Sequence, residues 1–186
     1  MDIVFLRHGE AEDRKNTGNL TRDDLERRLT EKGRTQVPTN LGKFDIVFSS
    51  PAMRAKETAR IAGGMEPVII NALSTHLWEG DWLEVDDCFV NRGNICLHKM
   101  YDDITGVQLD AVKKIRNDAK REIERLVGKI GKAEPRVLVV GHSMFLPDLA
   151  IVFVGDDENY RDKIYNLVLG EGESFSYSSS LVLPPR

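Results

Sequence analysis

At 186 residues the chain has the length of about one ordinary domain, enough to bury its own core. With 41% hydrophobic and 30% charged residues it has a soluble globular composition, which argues against disordered and membrane-spanning classes. A net charge of -4 argues against general nucleic-acid binding, which needs an excess of Lys and Arg to neutralise a phosphate backbone. It leaves room for binding one phosphoryl group, which takes only a few well-placed cations. Two cysteines, Cys88 and Cys96, are too few for a disulfide framework and fit a reducing compartment. The apolar run after Met1 is too short for a signal sequence, and no stretch approaches a membrane span. The expectation is a soluble, cytoplasmic protein with no nucleic-acid or membrane partner.

The first predicted element is a buried strand over Ile3 to Leu6, an unbroken apolar run of β-branched and bulky residues. It ends in Arg7-His8-Gly9. Thr30 is the predicted N-cap of a helix that Pro38 kinks or shortens. A second strand, Asp45 to Phe48, ends in Ser49-Ser50-Pro51. There Ser50 is the predicted cap and Pro51 the first residue of a helix continuing through Met53 to Ile61. Val68 to Ile70 is a weaker strand. Residues 73–106 read as an irregular segment, long for a loop and placed as a lid or specificity element. The clearest helix runs from Asp110 to Ile130, with Val112, Ile115, Ala119, Ile123, Leu126 and Ile130 at three- and four-residue steps. The strand Arg136 to Val140 ends in Gly141-His142-Ser143. Apolar alternations on either side of Gly170-Glu171-Gly172, between residues 164 and 183, predict an edge hairpin. Met53 and Met144 read as helix packing. Alternating strands and helices give an α/β fold with a mainly parallel sheet, in a single domain over residues 1–186.

In open α/β sheets, ligands bind beyond the carboxyl ends of the strands. Three strands here end in chemically pointed residues: Arg7 and His8, then Ser49-Ser50-Pro51 leading to Arg54, then His142. Taken singly, each has an ordinary reading as a turn residue or a solvated helix residue. Together, two guanidiniums and two imidazoles at one sheet edge repel one another unless an anion joins them. A phosphoryl group matches the guanidinium fork.

These residues stand in motifs that resemble the histidine phosphatase superfamily, which includes the cofactor-dependent phosphoglycerate mutases. Leu6-Arg7-His8-Gly9-Glu10 resembles its RHG signature, and the stretch from Ser49 to Ala59 resembles SSPxxRAxxTA. Gly141-His142-Ser143 resembles the third motif, and Leu29 to Gln36 matches LTxxGxxQ. The four occur in family order. The resemblance implies a three-layer sandwich of the phosphoglycerate mutase type and a nucleophilic His8 that forms a phosphohistidine. It implies phosphate binding by Arg7, Arg54 and His142, with His142 also catalytic, and no metal or other cofactor. A carboxylate would protonate the leaving group: Glu79, within Leu77-Trp78-Glu79, is the match, with Asp81 and Glu84 as alternatives.

The short chain and the RHGEA…LTEKG arrangement resemble SixA-like phosphohistidine phosphatases, although residues 73–106 are longer than in the most compact members. The implied partner is a phosphorylated small molecule or a phosphoprotein; oligomeric state is left open. Two other readings compete, a phosphoglycerate-type mutase and an inactive phosphate- or phosphoprotein-binding module. The Asn that mutases carry shortly after RHG is missing from Ala11 to Lys15, which weighs against the first; the intact motif residues weigh against the second. Cys88, Cys96, His98 and His76 form an imaginable zinc set, but lack the paired spacing such sites use.

Overall fold

The computed structural model describes residues 1–74, 106–155, 160, 163, 164 and 167–178. Its elements in chain order are β1 (Asp2–Arg7), α1 (Leu20–Leu25), α2 (Glu31–Gln36), β2 (Ile46–Ser49), α3 (Met53–Gly63) and β3 (Val68–Ile69). A 3-10 turn (Asn71–Leu73), α4 (Gly106–Val127), β4 (Arg136–Gly141), α5 (Phe145–Val154) and β5 (Ser174–Ser178) complete them.

The strands form one sheet in the order β3-β2-β4-β1-β5. β1, β2, β3 and β4 run parallel, and β5 pairs antiparallel with β1 at the edge. Alternation along the strands divides the core in two. Ile3, Phe5, Val137 and Val139 pack on one face with α4 and α5; Val4, Leu6, Leu138 and Val140 pack on the other with α3. This is why the strand sequences are apolar without a break: both faces are covered. Helices on both sides of the sheet give the three-layer α/β sandwich expected from the sequence. Among the described residues no helix is long and apolar enough to cross a membrane.

Local chemistry explains most element boundaries. Thr30 caps α2, its hydroxyl accepting from the Gly33 N–H at 2.9 Å. The helix stops at Gln36, just before Pro38. On α4, Val112, Ala119 and Ile123 are fully buried, as their periodicity requires, although the helix begins four residues before Asp110 and closes at Val127. In α5, Pro147 lies in the first turn, where an N–H has no helical partner to lose. Asn19 caps the short α1, a helix that the charged sequence around it does not announce.

Two expectations are corrected. Ser50 does not cap α3: the helix starts at Met53 after Ala52, with no side-chain cap. The Ser50 hydroxyl is held instead by the Ala52 N–H at 3.3 Å and by His142. The edge hairpin is replaced by a single strand, β5, among the described residues. Residues 167–170 before it are not in a strand, because the turn at Gly170–Gly172 closes over the end of β1 rather than joining two edge strands.

Candidate active site

Parallel pairing places three strand ends side by side, with Arg7 opposite Gly141 and Ser49 opposite Val140. The ladder continues one step further. The His8 N–H donates to the Gly141 carbonyl at 3.1 Å, and the Ser50 N–H to the Val140 carbonyl at 3.1 Å. His8, Ser50 and His142 therefore stand in a row at the carboxyl edge of the sheet. The His8 and His142 rings meet edge to face, 5.2 Å between centroids.

The turn that carries His8 is fixed from three sides. A Cβ on Gly9 would lie 2.2 Å from the Gly33 carbonyl oxygen, and one on Gly33 would lie 2.0 Å from that of Glu10. Only glycines allow this approach of α2 to the turn. Gln36 accepts from the Glu10 N–H at 2.8 Å, and the Thr58 hydroxyl accepts from the Gly9 N–H at 3.3 Å. On the third side the Gly172 N–H donates to the His8 carbonyl at 3.3 Å. The LTEKGRTQ motif is thus the support of the turn that carries His8.

His8 itself is buried. Its Nδ1 lies 2.8 Å from the Gly9 carbonyl, which only accepts, so Nδ1 carries the proton. Nε2 accepts from the Arg54 Nε–H at 3.2 Å. Burial, then the Arg54 charge, lower the imidazole pKa to about 3, against the smaller opposing pull of the Gly9 carbonyl. The ring is therefore neutral at pH 7 with its lone pair on Nε2, the form a nucleophile requires.

Arg54, also buried, is held by a residue that the sequence did not single out. Its Nη2 donates to Asp24 Oδ2 at 2.7 Å and its Nη1 to the Asp24 carbonyl at 2.6 Å. Nη2 also lies 3.4 Å from His142 Nδ1, and the opposite ring nitrogen of His142 lies 3.0 Å from the Ser50 hydroxyl. Arg54 Nη2 is a donor, so His142 carries its proton on Nε2 and gives it to Ser50. Arg7 donates to the Leu169 carbonyl at 2.8 Å and lies 3.9 Å from Glu171, while its buried Nε has no hydrogen-bond partner. The Arg7 charge also helps to keep the His8 imidazole neutral.

The four residues that the motifs singled out, Arg7, His8, Arg54 and His142, are thus brought together. Glu79, Asp81 and Glu84 lie outside the described residues, as do Cys88, Cys96, His76 and His98. Among the described residues no group of three or more His, Cys, Asp or Glu side chains is placed to hold a metal ion.

A model of the histidine phosphatase superfamily (branch 1) matches residues 3–164. The chain belongs to this superfamily. No curated protein matches it by sequence. Among solved structures, the histidine phosphatase fold is shared with an α-ribazole phosphatase from Shigella flexneri, at 19% identity and a TM-score of 0.59, covering 95% of this chain and 89% of that one. A mycobacterial glucosyl-3-phosphoglycerate phosphatase, solved with VO3, matches at 19% identity and 0.57, covering 95% and 92%. A phosphoserine phosphatase from Entamoeba histolytica, in complex with 3-phosphoglyceric acid, matches at 19% and 0.53, covering 94% and 89%. At these identities the likeness to the solved structures is one of fold.

The depressed His8 pKa has a consequence for stability. In the unfolded chain the imidazole titrates near 6.5, and in the folded protein near 3. Between these values only the unfolded chain takes up the proton. The contribution is present above pH 6.5 and is lost as pH falls toward 3, with a slope approaching about 1.4 kcal/mol per pH unit. In phosphate-free buffer, thermal unfolding of the wild type should therefore drop more steeply from pH 7 to pH 5 than that of His8→Ala. Parallel curves would show that the folded imidazole is not depressed.

Proposed function

We propose that the protein is a metal-independent phosphatase that hydrolyses a phosphomonoester or a protein phosphohistidine through a phosphohistidine on His8. The observation that carries this reading is the neutral His8, with its Nε2 lone pair directed into a cluster of guanidiniums. Attack forms the Nε2–P bond and breaks the bond from phosphorus to the leaving group. Water then breaks the N–P bond and releases phosphate. The Arg54 hydrogens that rest on His8 and His142 are the ones for which phosphoryl oxygens compete. Arg7 supplies the further, unpartnered N–H. Charge that spreads over the equatorial oxygens in the transition state thereby meets fixed donors.

Incubation with p-nitrophenyl phosphate in excess EDTA tests this. The expected result is release of free phosphate at the same rate with and without the chelator. Loss of the rate to EDTA would contradict metal independence. Transfer of the phosphoryl group to phosphoglycerate in place of release would make the protein a mutase, and the absence of any turnover would favour an inactive binding module.

Protonation of the leaving group is assigned to Glu79, with Asp81 and Glu84 as rivals. Glu79→Gln should slow an alkyl phosphate by on the order of 10²-fold or more, the range general acids supply. It should slow p-nitrophenyl phosphate much less, because that phenolate leaves largely unaided. Equal slowing of both would assign Glu79 to positioning.

A further inference from the structure

A buried carboxylate on α3, Glu57, has no part in the attack on phosphorus. It is 7% exposed and accepts from three donors. Its Oε2 accepts from the Leu29 N–H at 2.9 Å and from Arg34 Nη2 at 3.1 Å, and its Oε1 from Arg28 Nη1 at 3.0 Å. The two guanidiniums are about half exposed, and ion pairs to such groups contribute little to stability. The bond to Leu29 is of another kind. It is buried, and a covered backbone N–H that loses its acceptor is costly to leave unmade.

Leu29 belongs to a short extended segment, residues 27–30, laid between the chain that follows His8 and α3. Backbone groups of such a segment address its two sides alternately. On one side the Arg28 carbonyl accepts from the Glu12 N–H at 2.9 Å, and the Thr30 N–H donates to the Glu10 carbonyl at 3.0 Å. On the other side the Arg27 carbonyl accepts from the Arg54 N–H at 3.0 Å, in the first turn of α3, and the Leu29 N–H donates to Glu57. The segment leads into α2, whose Gly33 backbone lies against Gly9. One stretch of α3 therefore holds both sides of the central contact. Arg54 reaches His8 itself, and Thr58 accepts from the Gly9 N–H. Glu57, three residues after Arg54 on the same helix face, holds the support behind the His8 turn.

We infer that Glu57 is a positioning residue for phosphoryl transfer: its bond to the Leu29 N–H seats residues 27–33 against α3 and so fixes the His8 turn relative to Arg54. This assignment rests on the phosphatase reading of His8.

Three substitutions separate reach from charge. Glu57→Gln keeps an acceptor oxygen within reach of the Leu29 N–H and loses both ion pairs. Glu57→Asp keeps the charge and draws the carboxylate back by one methylene. Glu57→Ala removes both, and if it does not fold, the first two carry the comparison. Turnover of p-nitrophenyl phosphate is measured well below each variant's melting temperature. Glu57→Gln should stay close to the wild type. Glu57→Asp and Glu57→Ala should lose roughly 10- to 100-fold in kcat, up to the scale of a displacement of about 1 Å. KM should change little, because Arg7 and Arg54 remain. The second readout is the His8 ring in long-range proton–nitrogen NMR spectra at neutral pH. The Nδ1–H tautomer held by Gly9 should persist in the wild type and in Glu57→Gln, and give way to a mixture in the other two. Wild-type kcat and an unchanged ring in Glu57→Asp and Glu57→Ala, with only a lower melting temperature, would make Glu57 a folding residue and overturn the proposal. Glu57→Gln as impaired as Glu57→Asp would overturn the role of the Leu29 bond in favour of the ion pairs. No phosphate release by the wild type from any monoester would overturn the phosphatase reading instead, and the ring spectra would still decide whether Glu57 orders His8.

Discussion

His8→Ala is expected to abolish turnover, with a loss on the order of 10⁵-fold or more, the scale seen when a covalent nucleophile is removed. The expectation follows from the state of the ring. His8 is neutral, its tautomer is fixed by the Gly9 carbonyl, and its turn is clamped by Gly33, Thr58 and Gly172. The other described imidazole, His142, sets its ring nitrogens against the Ser50 hydroxyl and Arg54, whereas His8 has its tautomer fixed by a backbone carbonyl. Binding should survive better than chemistry, because Arg7 and Arg54 remain. The measurement is kcat on p-nitrophenyl phosphate, with phosphate or vanadate affinity as the control. Substantial activity in the variant would end the assignment of His8 as nucleophile.

The second large effect is expected at Arg54 and at the residue that holds it. Arg54→Lys keeps the charge but loses the fork that reaches His8, His142 and Asp24 at once. A loss of about 10²- to 10³-fold in kcat is expected, the range for removing one transition-state donor. Asp24→Asn leaves the side-chain shape and removes the charge opposite Arg54. It should reproduce part of that loss, with activity falling more than substrate affinity. Asp24→Ala should also destabilise the fold by about 3–5 kcal/mol, because it leaves a buried guanidinium without its counter-charge. If Asp24→Asn were fully active and only less stable, Asp24 would be a folding residue without a part in positioning Arg54.

The contrast between His8 and Asp24 shows what the sequence made legible. Strands buried on both faces leave unbroken apolar runs, so β1, β2 and β4 could be placed within a residue or two. The rule that ligands gather at the carboxyl ends of parallel strands then pointed to Arg7, His8 and His142, and the helix after β2 to Arg54. Gly33 and Gln36 were visible as parts of a motif, but their reason is three-dimensional: the close approach to the His8 turn. Asp24 was illegible. It lies in a stretch where acidic and basic residues alternate without apolar periodicity, and a carboxylate there reads as solvated until the fold buries it against Arg54. Ser50 misled for a related reason. Its hydroxyl has the chemistry of a helix cap, and the fold directs it to His142 instead. Gly170-Glu171-Gly172 signalled a turn correctly, but sequence does not show that the turn serves the end of β1 rather than a partner strand.

The central claim is a covalent bond between His8 and phosphorus. Its most direct test mixes the wild-type protein with substrate labelled in the phosphoryl group, quenches within a turnover, and maps the labelled peptide. An acid-labile, base-stable label is expected on the peptide that contains His8. Full turnover with no label trapped there, or a label on another residue, would contradict it.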